Sequence, residues 1–287
     1  MYKHFILTRF NLKFNGIPGL EKYNLPEQTE EWLNRRFFLF EKYCFPSIMN
    51  QVNKDFIWFV MFDSNTPERF FQKIKNYELM FPLFKPLFLD KGDSDSIKKT
   101  FNEVIALYLS NDDHYVITSR IDSDDAFHKD MVLEVQKLFN RQDNIFLSFA
   151  YGLQYDIERK VLARMHYENN HFISRIEKIS NGIETVITFD HTNLNKVADV
   201  VYINNKQKPL WLEIIHGGNL INSLYPSSTP LFSSKITRSF NCEEKISLVN
   251  TLLMLYKYLK LNALILRSNM LRRMGIYNFL KGLVKKQ

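Results

Sequence analysis

The chain has 287 residues, of which 45% are hydrophobic and 15% aromatic, including 25 Phe and 14 Tyr, with only 9 Gly and 9 Pro. Such apolar content can bury a large core against the entropy of chain ordering and excludes a disordered or collagen-like polypeptide. The formal charge is +7, yet no acidic residue follows Glu244, while Lys245, Lys257, Lys260, Arg267, Arg272, Arg273, Lys281, Lys285 and Lys286 more than supply the excess. The body is therefore slightly acidic, which argues against a nucleic-acid partner.

Two cysteines, Cys44 and Cys242, make no disulfide framework and no CxxC zinc spacing, so a reducing compartment fits. The opening MYKHFILTRFN is interrupted by charge too early for a signal-peptide core. Nothing reaches the roughly 18 uninterrupted apolar residues of a spanning helix.

In chain order, FILTRF predicts a first strand, followed by a Gly/Pro loop at Gly16 to Gly19. Trp32, Arg36, Phe40 and Tyr43 recur at helical spacing, predicting a helix from about Thr29 to Cys44 that Pro46 terminates. FIWFVMF, at 56 to 62, is continuously apolar, as a parallel strand covered on both faces requires. A helix from Thr66 to about Met80, a strand at 86 to 90 and a helix from Ser94 to Leu109 follow. HYVITSRID, at 114 to 122, then gives a fourth strand, and 126 to 139 a further helix. This alternation predicts right-handed crossovers on a parallel sheet.

After about Asn144 the rhythm changes. IFLSFAYGLQYD and KVLARMHY predict antiparallel strands turned by the IERK segment, TVITFDH and WLEII predict two more, and Glu243 to about Leu266 predicts a helix with a second short one near the end.

The most informative stretch is ITSRIDSDDAF, from Ile117 to Phe127. In open α/β sheets ligands gather at the carboxyl ends of strands, where Asp122, Asp124 and Asp125 fall. Adjacent carboxylates repel unless a cation or donors compensate them, and hard divalent cations take such oxygen ligands. A departing diphosphate accumulates negative charge that a cation neutralises as a Lewis acid. Asp122 and Asp124 share one side of an extended chain, so one can hold sugar or ribose hydroxyls and the other the metal. The plainer alternative makes Asp124 and Asp125 N-terminal charges on the next helix.

RIDSDDA, with HFILTRFN before it, FIWFVMFDSNTP in the first half and PLWLEIIHGGN in the second, resembles the bacterial rhamnosyltransferase family of GT-A-type glycosyltransferases. The resemblance covers His4 to about Asn219. It implies an α/β GT-A (Rossmann-like) mixed sheet flanked by helices with a C-terminal helical tail, a nucleoside-diphosphate sugar donor (UDP or dTDP) and Mn2+ or Mg2+. The corresponding division is a glycosyltransferase domain at 1–242, with a nucleotide-sugar half at 1–140 and an acceptor half at 141–242, and a basic helical tail at 243–287.

By resemblance, Asp122 contacts the donor, Asp124 ligates the metal with Asp125 in support, and Thr8, Arg9 and Asn11 lie against the nucleotide. Asp63 contacts base or ribose, and Arg120 approaches the diphosphate or makes an ordinary salt bridge. His216, before two glycines, completes the metal shell or is a plain loop histidine. If the reaction inverts configuration, a carboxylate must take the acceptor proton, and Glu213 and Asp190 are the candidates, with His191 a weaker one. Trp211 stacks on an acceptor sugar or belongs to the core.

The basic tail, with apolar Met270, Leu271, Met274, Ile276, Phe279, Leu280 and Leu283, is either a helix packed on the domain or a surface for an anionic membrane. The expected protein is thus cytoplasmic, with peripheral contact at the inner face of the plasma membrane as the second option. The acceptor expected is a surface glycan (LPS or capsule) or its lipid-linked form. A non-catalytic nucleotide-sugar or glycan-binding module, or a metal-dependent nucleotidyltransferase or phosphohydrolase, would use the same residues differently. One acidic cluster at a strand end favours one metal over a two-metal clamp.

Overall fold

A computed structural model describes residues 1–12, 28–90, 92–179, 182–189, 194, 196, 198–218 and 223–273. The first half follows the predicted rhythm: β1 (Tyr2–Arg9), α1 (Glu30–Leu39), α2 (Phe45–Met49), β2 (Ile57–Asp63), α3 (Glu68–Met80), β3 (Phe84–Leu89), α4 (Ser94–Ala106) and β4 (Tyr115–Arg120). Short β5 (Ala126–Phe127) and α5 (Met131–Lys137) precede β6 (Ile145–Phe149), β7 (Tyr151–Asp156), β8 (Val161–His166), β9 (Ile173–Lys178), β10 (Asp199–Ile203), β11 (Trp211–Ile215) and β12 (Thr229–Leu231), with α6 (Leu248–Arg273) last.

A seven-stranded sheet runs β10-β6-β9-β4-β1-β2-β3. β1 pairs in parallel with β2 and β4, and β2 with β3, while β9 is antiparallel to both β4 and β6. The continuous apolar runs are explained by burial on both faces. Ile6, Trp58, Val60 and Phe62 face α1, α2, α3 and α5, whereas Phe5, Leu7, Phe59 and Met61 face Ile97, Phe101 and Ile105 of α4. This is the mixed sheet flanked by helices that the sequence led us to expect.

A five-stranded sheet, β12-β8-β7-β11-β5, abuts the first. The run IFLSFAYGLQYD passes from one sheet to the other at buried Ala150, so only its second half, β7, pairs antiparallel with β8. β11 lies parallel to β7, and its start pairs antiparallel with β5 through Trp211↔Phe127 and Leu212↔Ala126. That short pairing seats the loop of acidic residues beside β11.

Several expectations are corrected. The helix predicted from Ala126 begins only at Met131, because Ala126 and Phe127 are claimed by β11. Pro46 does not end the first helix. A π turn at Phe40–Cys44, closed by Phe45 N–H donating to Phe40 O, shifts the hydrogen-bond register so that Pro46 falls in the first turn of α2, where its missing N–H costs little. TVITFDH contributes a 3-10 turn at Val186–Thr188 instead of a strand. Its Asp190 and His191 lie outside the described residues, as do Gly16 to Gly19, Asn219, and the tail beyond Arg273, including its predicted short helix.

α6 begins five residues later than expected, after Ser247 N–H donates to Lys160 O, and Met254 anchors it on Val161 and Ala163 of β8. Among the described residues no helix is long and apolar enough to cross a membrane.

Candidate functional site

The carboxyl ends of β1, β2 and β4 lie side by side, with Leu7 paired to Arg120 and Arg9 to Met61. Asn11 fastens this rim: its side chain donates to Thr66 Oγ1 at 3.0 Å and accepts Asp63 N–H at 3.1 Å. Asp63 in turn accepts the backbone N–H of Asn65 at 2.7 Å. Arg9 is partly buried beside Arg120, and desolvation first, then that neighbouring cation, lower its guanidinium to about 10 against the pull of Asp122.

Past β4 the chain enters the acidic loop. Arg120 Nη2 and Nε reach Asp122 Oδ1 at 3.1 and 3.2 Å, a salt bridge to the neighbouring acid. Burial would raise the Asp122 pKa, but Arg120, His171 and Arg9 overcome it and hold this carboxyl below the usual carboxylate range. Asp124 Oδ2 receives Arg36 Nη1 at 2.8 Å and His216 Nε2 at 2.9 Å. Burial opposes its ionisation too, and Arg36 and the His216 hydrogen bond again prevail and lower it.

Asp125 behaves differently. Its Oδ1 accepts Ile214 N–H at 2.8 Å and its Oδ2 lies 2.9 Å from His171 Nε2. Burial and then the charges of Asp124 and Asp122 push its pKa well above normal. The loop therefore holds two carboxyls whose partners favour ionisation and one whose surroundings disfavour it. Neither Asp124 nor Asp125 is a helix N-terminal charge, because β5 and not a helix follows them.

One oxygen each of Asp122 and Asp125 and a ring nitrogen of His171 lie within 4.8 Å of one another, a donor set suited to a divalent cation. The predicted pair Asp124 and His216 is also brought together, at hydrogen-bond distance, on the same loop. Both sets offer carboxylate oxygen, which suits Mn2+ or Mg2+, with an imidazole nitrogen beside it.

Glu213, in the middle of β11, is buried and bound by Gln154 Nε2 at 2.6 Å. Burial first, then Asp125 and Asp124, raise it to about 7, although His171 and Gln154 pull the other way. A carboxylate poised there can exchange a proton near neutral pH.

Two predicted contacts are overturned. Thr8 is fully buried and accepts Trp58 Nε1 at 3.0 Å, so it braces β2 and does not face a nucleotide. Trp211, at 1% exposure, donates to Phe149 O at 2.7 Å, stacks on Phe172 at 4.8 Å and covers Gly152, where a Cβ would fall 2.0 Å from its ring. It is a core wall with no ring face for an acceptor sugar. Sequence reasoning did not single out Arg36, His171 and Gln154 as functional. Arg36 had a signal, being the one charge in the otherwise aromatic stripe of α1; His171 and Gln154 carried none.

Replacing Asp125 should separate its two roles as a test of this geometry. Asn can accept Ile214 N–H and donate to His171, mimicking the protonated acid, whereas Leu removes both interactions. Urea denaturation should find Asp125→Leu less stable by about 2–5 kcal/mol and Asp125→Asn much closer to the parent. Equal stability of the two variants would contradict the assignment.

Comparison with known proteins agrees with the sequence reading. The family model described as "Putative rhamnosyl transferase" matches residues 3–226. No curated protein matches the chain. Among solved structures, residues 1–349 of Staphylococcus aureus TarS align at TM-score 0.38 and 11% identity, covering 74% of this chain and 60% of that one. The same fragment crystallised with UDP-GlcNAc aligns at TM-score 0.40 and 13% identity, covering 78% and 62%. The chain thus spans less than two thirds of these TarS fragments. With the acidic loop, the rim of β1 and β2, and β11 all inside the matched span, the chain belongs to the Putative rhamnosyl transferase family.

Proposed function

We propose that the chain is a cation-dependent glycosyltransferase that moves a hexose or deoxyhexose, with rhamnose a candidate, from a UDP- or dTDP-sugar to a hydroxyl of a surface glycan such as LPS or capsule. The observation that carries this reading is the gathering of Asp122, Asp124 and Asp125 among Arg9, Arg36, Arg120, His171 and His216 at the carboxyl ends of parallel strands, next to a buried glutamate near neutral pKa. Mn2+ or Mg2+ would be held by loop aspartates with His216 or His171, and would supply Lewis-acid neutralisation of the diphosphate.

The chain's own residues do the rest. Arg9 and Arg120 give positive charge to the phosphate side, and Asn11 and Asp63 form the rim on which the nucleoside rests. Glu213 accepts the acceptor hydroxyl's proton on its side-chain oxygen as the hydroxyl oxygen bonds the anomeric carbon and the sugar–diphosphate bond breaks, the nucleoside diphosphate leaving with the electron pair, in an inverting reaction.

Transfer assays with UDP-, dTDP- and GDP-sugars test this. Turnover should vanish in EDTA and return with Mn2+ or Mg2+, and Glu213→Gln should lower it at least about a hundredfold. Because the base works deprotonated, the rate should fall as pH drops below about 7, where Glu213 takes up its proton. Turnover undiminished by EDTA would reject the cation, and nucleotide binding with no turnover of any donor would make the chain a binding module.

α6 supplies a second surface. Opposite Thr251 and Met254, which face the body, Leu252, Tyr256, Leu259, Leu266 and Met270 are exposed beside Lys257, Lys260 and Arg267. No acidic residue interrupts the helix, which is the charge an anionic bilayer attracts. Co-sedimentation with phosphatidylglycerol vesicles should be lost on Lys257→Glu, Lys260→Glu, Arg267→Glu replacement. Undiminished binding would reject docking through α6.

A further inference from the structure

Burial of Trp211 leaves the acceptor without the aromatic surface that the sequence suggested, and a different one lies on the same sheet face. In the five-stranded sheet Glu213 pairs with Gln154, and Gln154 with Ala163, so all three side chains share a face. Period two carries that face along β8 to Met165 and then Tyr167, whose N–H donates to Ala150 O. Trp211, over Gly152, is the buried wall between Glu213 and this end of the sheet.

Tyr225 comes to the same place from the chain before β12. Its backbone N–H donates to Gln154 Oε1 at 3.3 Å, and Ser228 Oγ donates to the same oxygen at 3.1 Å. Gln154 Nε2 meanwhile holds Glu213 at 2.6 Å and Ser223 O at 3.3 Å. One amide therefore couples the Glu213 carboxylate to the backbone that carries Tyr225. The rings of Tyr167 and Tyr225 lie 6.5 Å apart with 35° between their planes, and the residues are 37% and 40% exposed.

Large aromatics left open on the sheet face that also carries a buried carboxylate present apolar faces for the C–H side of a pyranose and phenol hydroxyls for its polar edge. We propose that Tyr167 and Tyr225 form the acceptor subsite, holding a pyranose unit of the acceptor glycan so that its hydroxyl is presented toward Glu213. This rests on the glycosyltransferase reading above and adds its acceptor side. Gln154 is a positioning residue here, fixing the Tyr225 backbone and Glu213 relative to each other.

Calorimetric titration of a panel of p-nitrophenyl hexopyranosides (glucoside, galactoside, mannoside and rhamnoside) into the full chain, with Mn2+ and UDP or dTDP, tests the subsite. At least one glycoside should bind. The Tyr167→Ala, Tyr225→Ala double variant should weaken it at least about tenfold, the scale of a lost aromatic contact. The Tyr→Phe double variant, which keeps the ring faces, should stay within about threefold. Nucleotide affinity, measured on the same samples, should be equal in all three proteins and reports that the variants fold. Binding of no glycoside to the parent, or equal binding by the double Ala variant, overturns the subsite. Absence of nucleotide binding in the parent instead defeats the glycosyltransferase reading, so the two failures are distinct.

Discussion

Asp125 is the joint on which the site depends. Its carboxyl accepts the N–H of Ile214 in β11 and meets His171 at the entrance to β9, so one side chain ties the acidic loop to an element of each sheet. The pairing of β5 with β11 completes the attachment. Glu213 and His216, on and just after β11, are thereby delivered to a loop some ninety residues earlier in the chain, and Asp124 meets His216 directly.

Three neighbouring aspartates, Asp124 and Asp125 buried and Asp122 partly so, cannot all ionise without compensation. The protein divides the problem. Asp122 and Asp124 are each matched with an arginine, from β4 and α1, that favours their ionised form, while Asp125 has backbone and imidazole partners and its ionisation is opposed by burial and by its two neighbours. The π turn belongs to the same arrangement: it lets the α1 helix continue into α2, whose Ser47 accepts Phe127 N–H while Gln51 binds His128 O and Val132 N–H. Helix packing thus fixes the exit of the loop, and Arg36 is carried on the same support.

Much of this was legible in the sequence because it follows from local pattern. Unbroken apolar runs announced strands covered on both faces, and ITSRIDSDDAF placed acids where a parallel strand ends. The losses came where tertiary pairing overrides pattern. Ala126 and Phe127 look helical until β11 claims them, and IFLSFAYGLQYD looks like one strand until Ala150 passes it between sheets. Thr8 is a ligand contact by resemblance, and Trp211 is open between acceptor and core, but each satisfies its polar atom within the core. His171 has no motif, and only the approach of β9 to β4 brings it to the loop.

The central claim is that a cation held by this loop is what allows a nucleoside diphosphate to bind among these carboxylates. Calorimetric titration of UDP and dTDP into the parent protein and Asp124→Ala, each with Mn2+ and with EDTA, measures it most directly. The account predicts nucleotide binding to the parent only when Mn2+ is present, and at least about tenfold weaker binding to the variant. Equal affinity in EDTA and Mn2+, together with an Asp124→Ala variant indistinguishable from the parent, would contradict it.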